Sequence, residues 1–268
     1  MPRHIAALFF LPGTLVFVLF FALPATSILL EAASDAGSAV ARVFADPVFW
    51  NGVRGSLLIG TIAPFVSLVV GVMVAIALSR LAPRLRTATL VAITLPLTFS
   101  GLIIAYGFIL VFGRSGFVTL LLAELGFDPA VVGQFIYSVF GLGLAYSYYL
   151  IPRVVLVVLP AIMNFDATQI AAARSMGASR LRALAGIMLP QIAPSLAAAY
   201  ALTASVAIGA YGTALALVGT QVNILPLVLY SKISETGTDM PAAAVISIVL
   251  MAICSAVIAL AELMLGRR

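Results

Sequence analysis

The chain has 268 residues, of which 63% are hydrophobic without counting glycine and only 9% are charged. A soluble domain carries about 25% charged residues, so this chain lacks the side chains to cover a water-facing surface. Its 23 charges also exclude disorder and, despite a net charge of +5, a basic nucleic-acid-binding face. A polytopic, all-α membrane protein remains.

Single residues exclude further chemistry. One cysteine, Cys254, leaves no internal disulfide, and one histidine, His4, leaves no histidine metal cluster and no interior Ser/His pair. The one lysine, Lys232, lies between Ser231 and Ile233, so the G-K-[ST] of a P-loop is absent and the chain has no Walker-type ATP site of its own. No metal and no cofactor are expected, and the chain is not expected to be an enzyme.

Taken in order, the uncharged stretches are residues 5–30, 55–79, 87–113, 129–152, 183–231 and 240–261. A helix needs about 20 apolar residues to cross the hydrocarbon core. Five of the stretches fit one span each. The stretch 183–231 is long enough for two, but Pro190 and Pro194 stand at one end, and Gly219, Thr220, Gln221, Asn223 and Pro226 at the other. It reads as one span with uncharged interfacial flanks. The expectation is a single transmembrane domain over 1–268 with spans near 5–30, 55–79, 88–113, 130–152, 193–218 and 240–261. The first stretch exceeds the 7–15 residues of a signal-peptide core and reads as a retained helix, bent at Pro12 and Pro24.

Alternating sides sort the charges. Ten basic residues (Arg3, Arg80, Arg84, Arg86, Arg153, Arg174, Arg180, Arg182, Arg267, Arg268) fall on one side. Four (Arg42, Arg54, Arg114, Lys232) fall on the other, with seven of the nine acids. The positive-inside rule makes the first side cytoplasmic, with both termini there.

One cytoplasmic segment is long, Arg153 to Pro190. Asp166 with Gln169 forms a capping-box pattern for a helix through Met176; Gly177 suits the left-handed exit, and Ser179 caps a second short helix. By composition this is a solvated helical hairpin. Its residues Ala171, Ala172, Ala173, Arg174, Ser175, Met176, Gly177, Ala178 and Ser179, then Ile187, Met188, Leu189 and Pro190, resemble the EAA loop of binding-protein-dependent ABC importer permeases. That pattern is E-A-A, three residues, G, nine residues, I-x-L-P. The Ala-Ala pair, Gly177, Ile187, Leu189 and Pro190 match in register, and the acidic position is Ala171. The loop's place before the penultimate span matches too.

The resemblance implies the type I ABC importer permease fold in the cell inner membrane. It implies that loop 164–190 is a coupling helix seated on a cytoplasmic ATPase, with two ATPase subunits, a second permease subunit (the same or a different chain) and a periplasmic solute-binding protein as partners. Membrane lipid surrounds the assembly. Arg174, Arg180 and Arg182 would meet carboxylates of the ATPase or anionic headgroups, and a different partner permease would supply the acid missing at Ala171.

Within the uncharged stretches no acid or base occurs, which disfavours an ion-coupled secondary carrier. An assembly protein of the membrane would leave the matched loop unexplained. Tyr146, Ser147, Tyr148 and Tyr149 read as helix–helix hydrogen-bonding or interfacial groups. Candidate pathway residues are Tyr106, Tyr200, Ser205, Gly209, Tyr211 and Gly212, the two glycines permitting unwinding or close packing around Tyr211. Small-residue pairs Gly71/Ala75, Gly101/Ala105 and Gly212/Ala216 imply tight packing against unspecified partners. The segment from Tyr211-Gly212-Thr213-Ala214 to Leu225-Pro226-Leu227 resembles the branch that handles polyamines, ferric iron, thiamine and 2-aminoethylphosphonate. A small organic amine such as a polyamine is the expected solute, in keeping with an outer face carrying three more acids than bases.

Overall fold

The computed structural model describes residues 11–35, 37–219, 222–234 and 238–266. Residues 5–10 of the first expected span, Thr220 and Gln221 of the interfacial flank, and the terminal Arg3, Arg267 and Arg268 lie outside them.

Among the described residues, six helices are long and apolar enough to cross a membrane: Leu11–Ala33, Pro47–Ser79, Gly101–Glu124, Val139–Met163, Arg180–Gly209 and Met240–Leu263. We label α1 Leu11–Ala33, α2 Ser38–Ala45, α3 Pro47–Ser79, α4 Pro83–Thr94, α5 Gly101–Phe112, α6 Phe117–Glu124 and α7 Val139–Met163. Then follow α8 Thr168–Ser175, α9 Arg180–Gly209, α10 Gly212–Leu217, α11 Leu225–Ser234 and α12 Met240–Gly266.

The count of six matches the expectation, but boundaries move, among them the start of the second span, at Pro47 rather than 55, and of the fifth, at Arg180 rather than 193. The apolar run 87–113 is interrupted at Phe99 and Ser100, both extended, between a 3-10 turn at Leu95–Thr98 and α5. Ser100 caps α5 by accepting from Ile103 N. The run 193–218 is interrupted at Ala210, also extended, between α9 and α10. The fourth span begins nine residues later than expected, at Val139, and continues past Pro152 and Arg153 to Met163.

Helix α3 is the spine. Pro47 opens it, and the Asp46 carboxylate accepts from Val48 N at 2.9 Å. Its 33 residues extend about 50 Å at 1.5 Å each. Its small residues line the packed face: a methyl on Gly71 would lie 2.6 Å from Val154 of α7, and one on Gly52 would lie 2.8 Å from Val228 of α11. Glycine is required there because the neighbouring helices come closer than any side chain allows. This identifies the partner of the Gly71/Ala75 pair.

Three cores follow along the bundle. At the start of α3, Phe49 packs with Val43 of α2, Leu225 and Val228 of α11, and Ile246 of α12. In the middle, Ile104, Leu142, Tyr146, Ala207 and Leu217 join α5, α7, α9 and α10. At the far end of α3, Leu78 packs with Val154, Val155 and Val158 of α7 and Ala199 of α9. Helix α1 runs along α12 and touches the first core through Ala32, and its membrane-crossing window has no buried residue.

Ion pairs gather at the Phe49 end. Arg42 meets Asp35 at 2.7 Å and Asp239 at 3.1 Å, and Lys232 meets Asp46 at 3.2 Å. The Asp35 carboxyl is held below its ordinary value by the Ser38 hydroxyl and the Arg42 guanidinium. Trp50 donates to Phe44 O at 2.9 Å at this same end.

Candidate functional site

Two features beyond the bundle's packing stand out, at different levels along it. The first is the double break where α5 begins and α9 ends. Gly101 and Gly212 bring these backbones together: Thr213 Oγ1 donates to Gly101 O at 3.0 Å, and a methyl on Gly212 would lie 3.4 Å from Leu102 N. Thus the Gly101 and Gly212 pairs pack on each other's helices. The extended Ala210 leaves its carbonyl without a helical donor, and the fully buried Tyr146 hydroxyl of α7 donates to it at 2.8 Å. The Tyr211 ring packs at a tilt of 44° against Tyr230 of α11, ring centroids 5.1 Å apart.

Between the breaks lies a cavity of about 290 Å³ lined by Phe99, Gly101, Tyr149, Arg153, Gly209, Ala210, Tyr211, Gly212 and Thr213, among others. Of the six expected pathway residues, the structure brings together Gly209, Tyr211 and Gly212. Tyr106 stands exposed on α5 and Tyr200 half-buried on α9, neither lining the cavity. Ser205 turns to α12, where its hydroxyl donates to Cys254 O at 3.4 Å and Cys254 Sγ donates back to Ser205 O at 3.7 Å.

Tyr149 and Arg153 were missed as cavity residues. Tyr149 is 6% exposed, which fits the helix–helix role read for its cluster rather than the interfacial one, and its buried hydroxyl lies beside that of Thr213. Arg153 lies inside a span rather than at its end. The signal was available: VVLVVLPAIM, residues 154–163, is as apolar as the run before it.

The second feature is the loop between α7 and α9. The Asp166 carboxylate accepts from Thr168 N at 2.9 Å and from the Thr168 hydroxyl at 2.8 Å, and these bonds hold it below its ordinary value. Gln169 does not complete a capping box; its Oε1 accepts from Gln191 Nε2 of α9 at 2.6 Å. At the helix end Gly177 N donates to Arg174 O and Ala178 N to Ala173 O, both at 3.0 Å, with Gly177 at φ +90°. This is a Schellman exit, which favours glycine at that position. Ser179 Oγ then caps the start of α9 by accepting from Arg182 N at 3.3 Å.

The loop turns only Ala173 and Ala183 inward. Ala171, Ala172, Arg174, Ser175, Met176 and Gly177 face outward, and Met176 and Leu181 are 82% and 80% exposed. Ile187 lies in a π-turn, Leu184–Met188, and Leu189 and Pro190 start the regular part of α9. Two large apolar side chains in full exposure beside three arginines make a surface suited to a partner.

Comparison with known proteins agrees with this arrangement. Residues 67–268 match the family described as binding-protein-dependent transport system inner membrane component. The sulfate transport system permease protein CysT of Salmonella typhimurium is 26% identical over 243 residues, 89% of this chain and 85% of that protein. The spermidine/putrescine transport system permease protein PotB of Haemophilus influenzae is 26% identical over 70% of this chain and 65% of its own length. A probable ABC transporter permease protein, y4fN, of Sinorhizobium fredii is 31% identical over 57% of this chain, which spans only 26% of that relative. In fold, the chain superposes on a chain of the bacterial alginate ABC transporter, solved in complex with an alginate pentasaccharide-bound periplasmic protein, at TM-score 0.81 and 18% identity over 98% and 94% of the two chains. The match over three quarters of its length makes this chain a member of the binding-protein-dependent transport system inner membrane component family, with the type I ABC importer permease fold.

Proposed function

We propose that this chain forms half of the solute pathway of an ATP-driven importer and couples it to separate ATPase subunits. The observation that carries the reading is the outward-facing α8 with its Schellman exit at Gly177, linked through Gln169–Gln191 to α9, whose other end is the break at the cavity. Movement of α8 is thereby connected to the wall of the cavity by one continuous element. Two ATPase subunits seat on two such loops, a second permease completes the pathway, and a periplasmic binding protein delivers solute to the opposite end. Residues Ala171 to Ser179 with Ile187, Leu189 and Pro190 form the ATPase contact; Gly209, Tyr211 and Gly212 line the pathway.

The protein's part is positional. ATP hydrolysis resides on the partner, and closure of the ATPases draws the two α8 helices together, so that the pathway alternates between two packings. Hydrolysis then releases the inward-facing arrangement.

The solute is small and polar. The organic-amine reading rests on the resemblance of the segment from Tyr211 to Leu227 to the polyamine branch and, secondarily, on the outer surface charge, where Arg42 and Lys232 are paired with Asp35, Asp239 and Asp46. Relatives named for sulfate and for spermidine and putrescine leave both signs of charge open.

Co-expression with the cognate ATPase tests the coupling role. Proline fixes φ near −65° and cannot adopt the +90° of Gly177. The Gly177→Pro subunit is expected to reach the membrane but to lose ATPase co-purification and uptake. Wild-type ATP-driven uptake by this variant would remove α8 from the mechanism.

A further inference from the structure

We infer that the cavity between the two helix breaks is built for a solute bearing an oxyanion group, with Arg153 and Tyr149 as its recognition residues. The inference rests on the importer reading above and names the class of solute at that same site.

Arg153 is the one charged residue among those lining the cavity, and no carboxylate lines it. The ion pairs among the described residues all lie elsewhere and leave Arg153 without a counter-ion. A half-buried cation in a membrane span is costly unless compensated. An arginine serving only as an anchor near a helix end would extend towards that end. Arg153 does the opposite. Its Nη1 donates to Tyr149 O at 2.9 Å, one turn back towards the start of α7, and its guanidinium lies 5.4 Å from the centre of the Tyr149 ring. The side chain is folded away from the coupling-loop end and onto the cavity wall. Of the five N–H donors of guanidinium, that carbonyl engages one.

Tyr149 adds an independent observation. Its hydroxyl is buried, lines the same cavity and has the Thr213 hydroxyl, which donates to Gly101 O, as its polar neighbour. Donors converge here: the planar guanidinium and a phenol. A sulfate, phosphonate or carboxylate presents acceptors to both, and guanidinium binds such groups with paired hydrogen bonds. A polyamine presents only donors and positive charge, and meets repulsion at the same place.

The test uses the whole importer, this chain with its cognate ATPase, partner permease and binding protein, in proteoliposomes. ATP-driven uptake of radiolabelled sulfate, a small aminophosphonate, a small dicarboxylate and spermidine is compared. One of the three anions is expected to enter and spermidine to be excluded; which anion enters identifies the oxyanion. Arg153→Gln is expected to lower its uptake about tenfold or more, as for loss of a charged hydrogen bond, while Arg153→Lys retains most of it. Should Arg153→Gln fail to accumulate, Tyr149→Phe, which removes one oxygen, carries the test with an expected loss of several-fold. Uptake of spermidine and of no anion overturns the assignment and leaves the importer reading standing. So does equal uptake by the Gln and Lys variants, or full anion uptake by Tyr149→Phe. Failure of the importer reading appears separately, as absence of any ATPase that co-purifies with the wild-type chain.

Discussion

Tyr146 shows how a single hydroxyl holds a helix break open. Ala210 sits in an extended conformation between α9 and α10, so its carbonyl has no helical donor, and the Tyr146 hydroxyl supplies one at 2.8 Å. Tyr146→Phe keeps the ring and deletes this bond, leaving a buried carbonyl unsatisfied. A loss of about 1–3 kcal/mol is expected, read as a lower unfolding temperature of the purified subunit in detergent; an unchanged transition would show that water replaces the bond. Residues of this kind differ in how legible they were. Gly209 and Gly212 marked the neighbourhood of Tyr211 without fixing a break there, because glycine permits close packing as readily as unwinding. Tyr149 and Arg153 did not announce themselves. Charge was used to mark where a span stops, and a charge placed inside a span defeats that rule by construction.

At the scale of elements, α8 and its two ends were legible nearly to the residue, whereas the short second helix expected to end before Pro190 is the first part of α9, which runs from Arg180 to Gly209. The helix ends are written in local chemistry: Asp166 before α8, Gly177 after it, Ser179 before α9. What local chemistry does not encode is the long-range partner, and Gln169, expected to reach back to the helix start, instead bonds Gln191. This bond ties α8 to α9 across the π-turn at Leu184–Met188. Gln191→Ala is expected to leave ATP hydrolysis by the assembled importer in place while solute uptake per ATP falls several-fold; equal falls in both would assign the pair a structural role only. The Asp166 carboxyl has its folded value depressed by its bonds to Thr168. Its contribution is therefore complete above the ordinary value of 3.8 and is lost only as pH falls below it, through the folded value. Co-purification of the ATPase is expected to show no dependence on this group between pH 6 and 8, and Asp166→Ala to weaken the association equally at every pH in that window.

At the scale of the whole molecule, the two ends carry different electrostatics. At the start of α3, the cations Arg42 and Lys232 are matched by Asp35, Asp239 and Asp46. At its far end stand Arg80, Arg84 and Arg86, and beyond the end of α7 stand Arg174, Arg180 and Arg182, none of them in an ion pair among the described residues. Six crossings and this partition were legible because both depend on composition summed over long windows, which tolerates errors at any one residue. The breaks at Phe99–Ser100 and Ala210 were less legible, because an apolar run is silent about where its backbone changes direction. By the positive-inside rule the end bearing the unpaired cations is expected on the cytoplasmic face, where anionic leaflets attract them and translocation opposes their passage. In a Cys254→Ser background, which removes the one native thiol, Ser34→Cys and Ser175→Cys place single exposed thiols at the two ends. A membrane-impermeant maleimide added to spheroplasts is expected to label Ser34→Cys and spare Ser175→Cys, and added to inverted vesicles to do the reverse. Labelling of Ser175→Cys from outside would place α8 away from any cytoplasmic ATPase, and the coupling role would fall with the orientation.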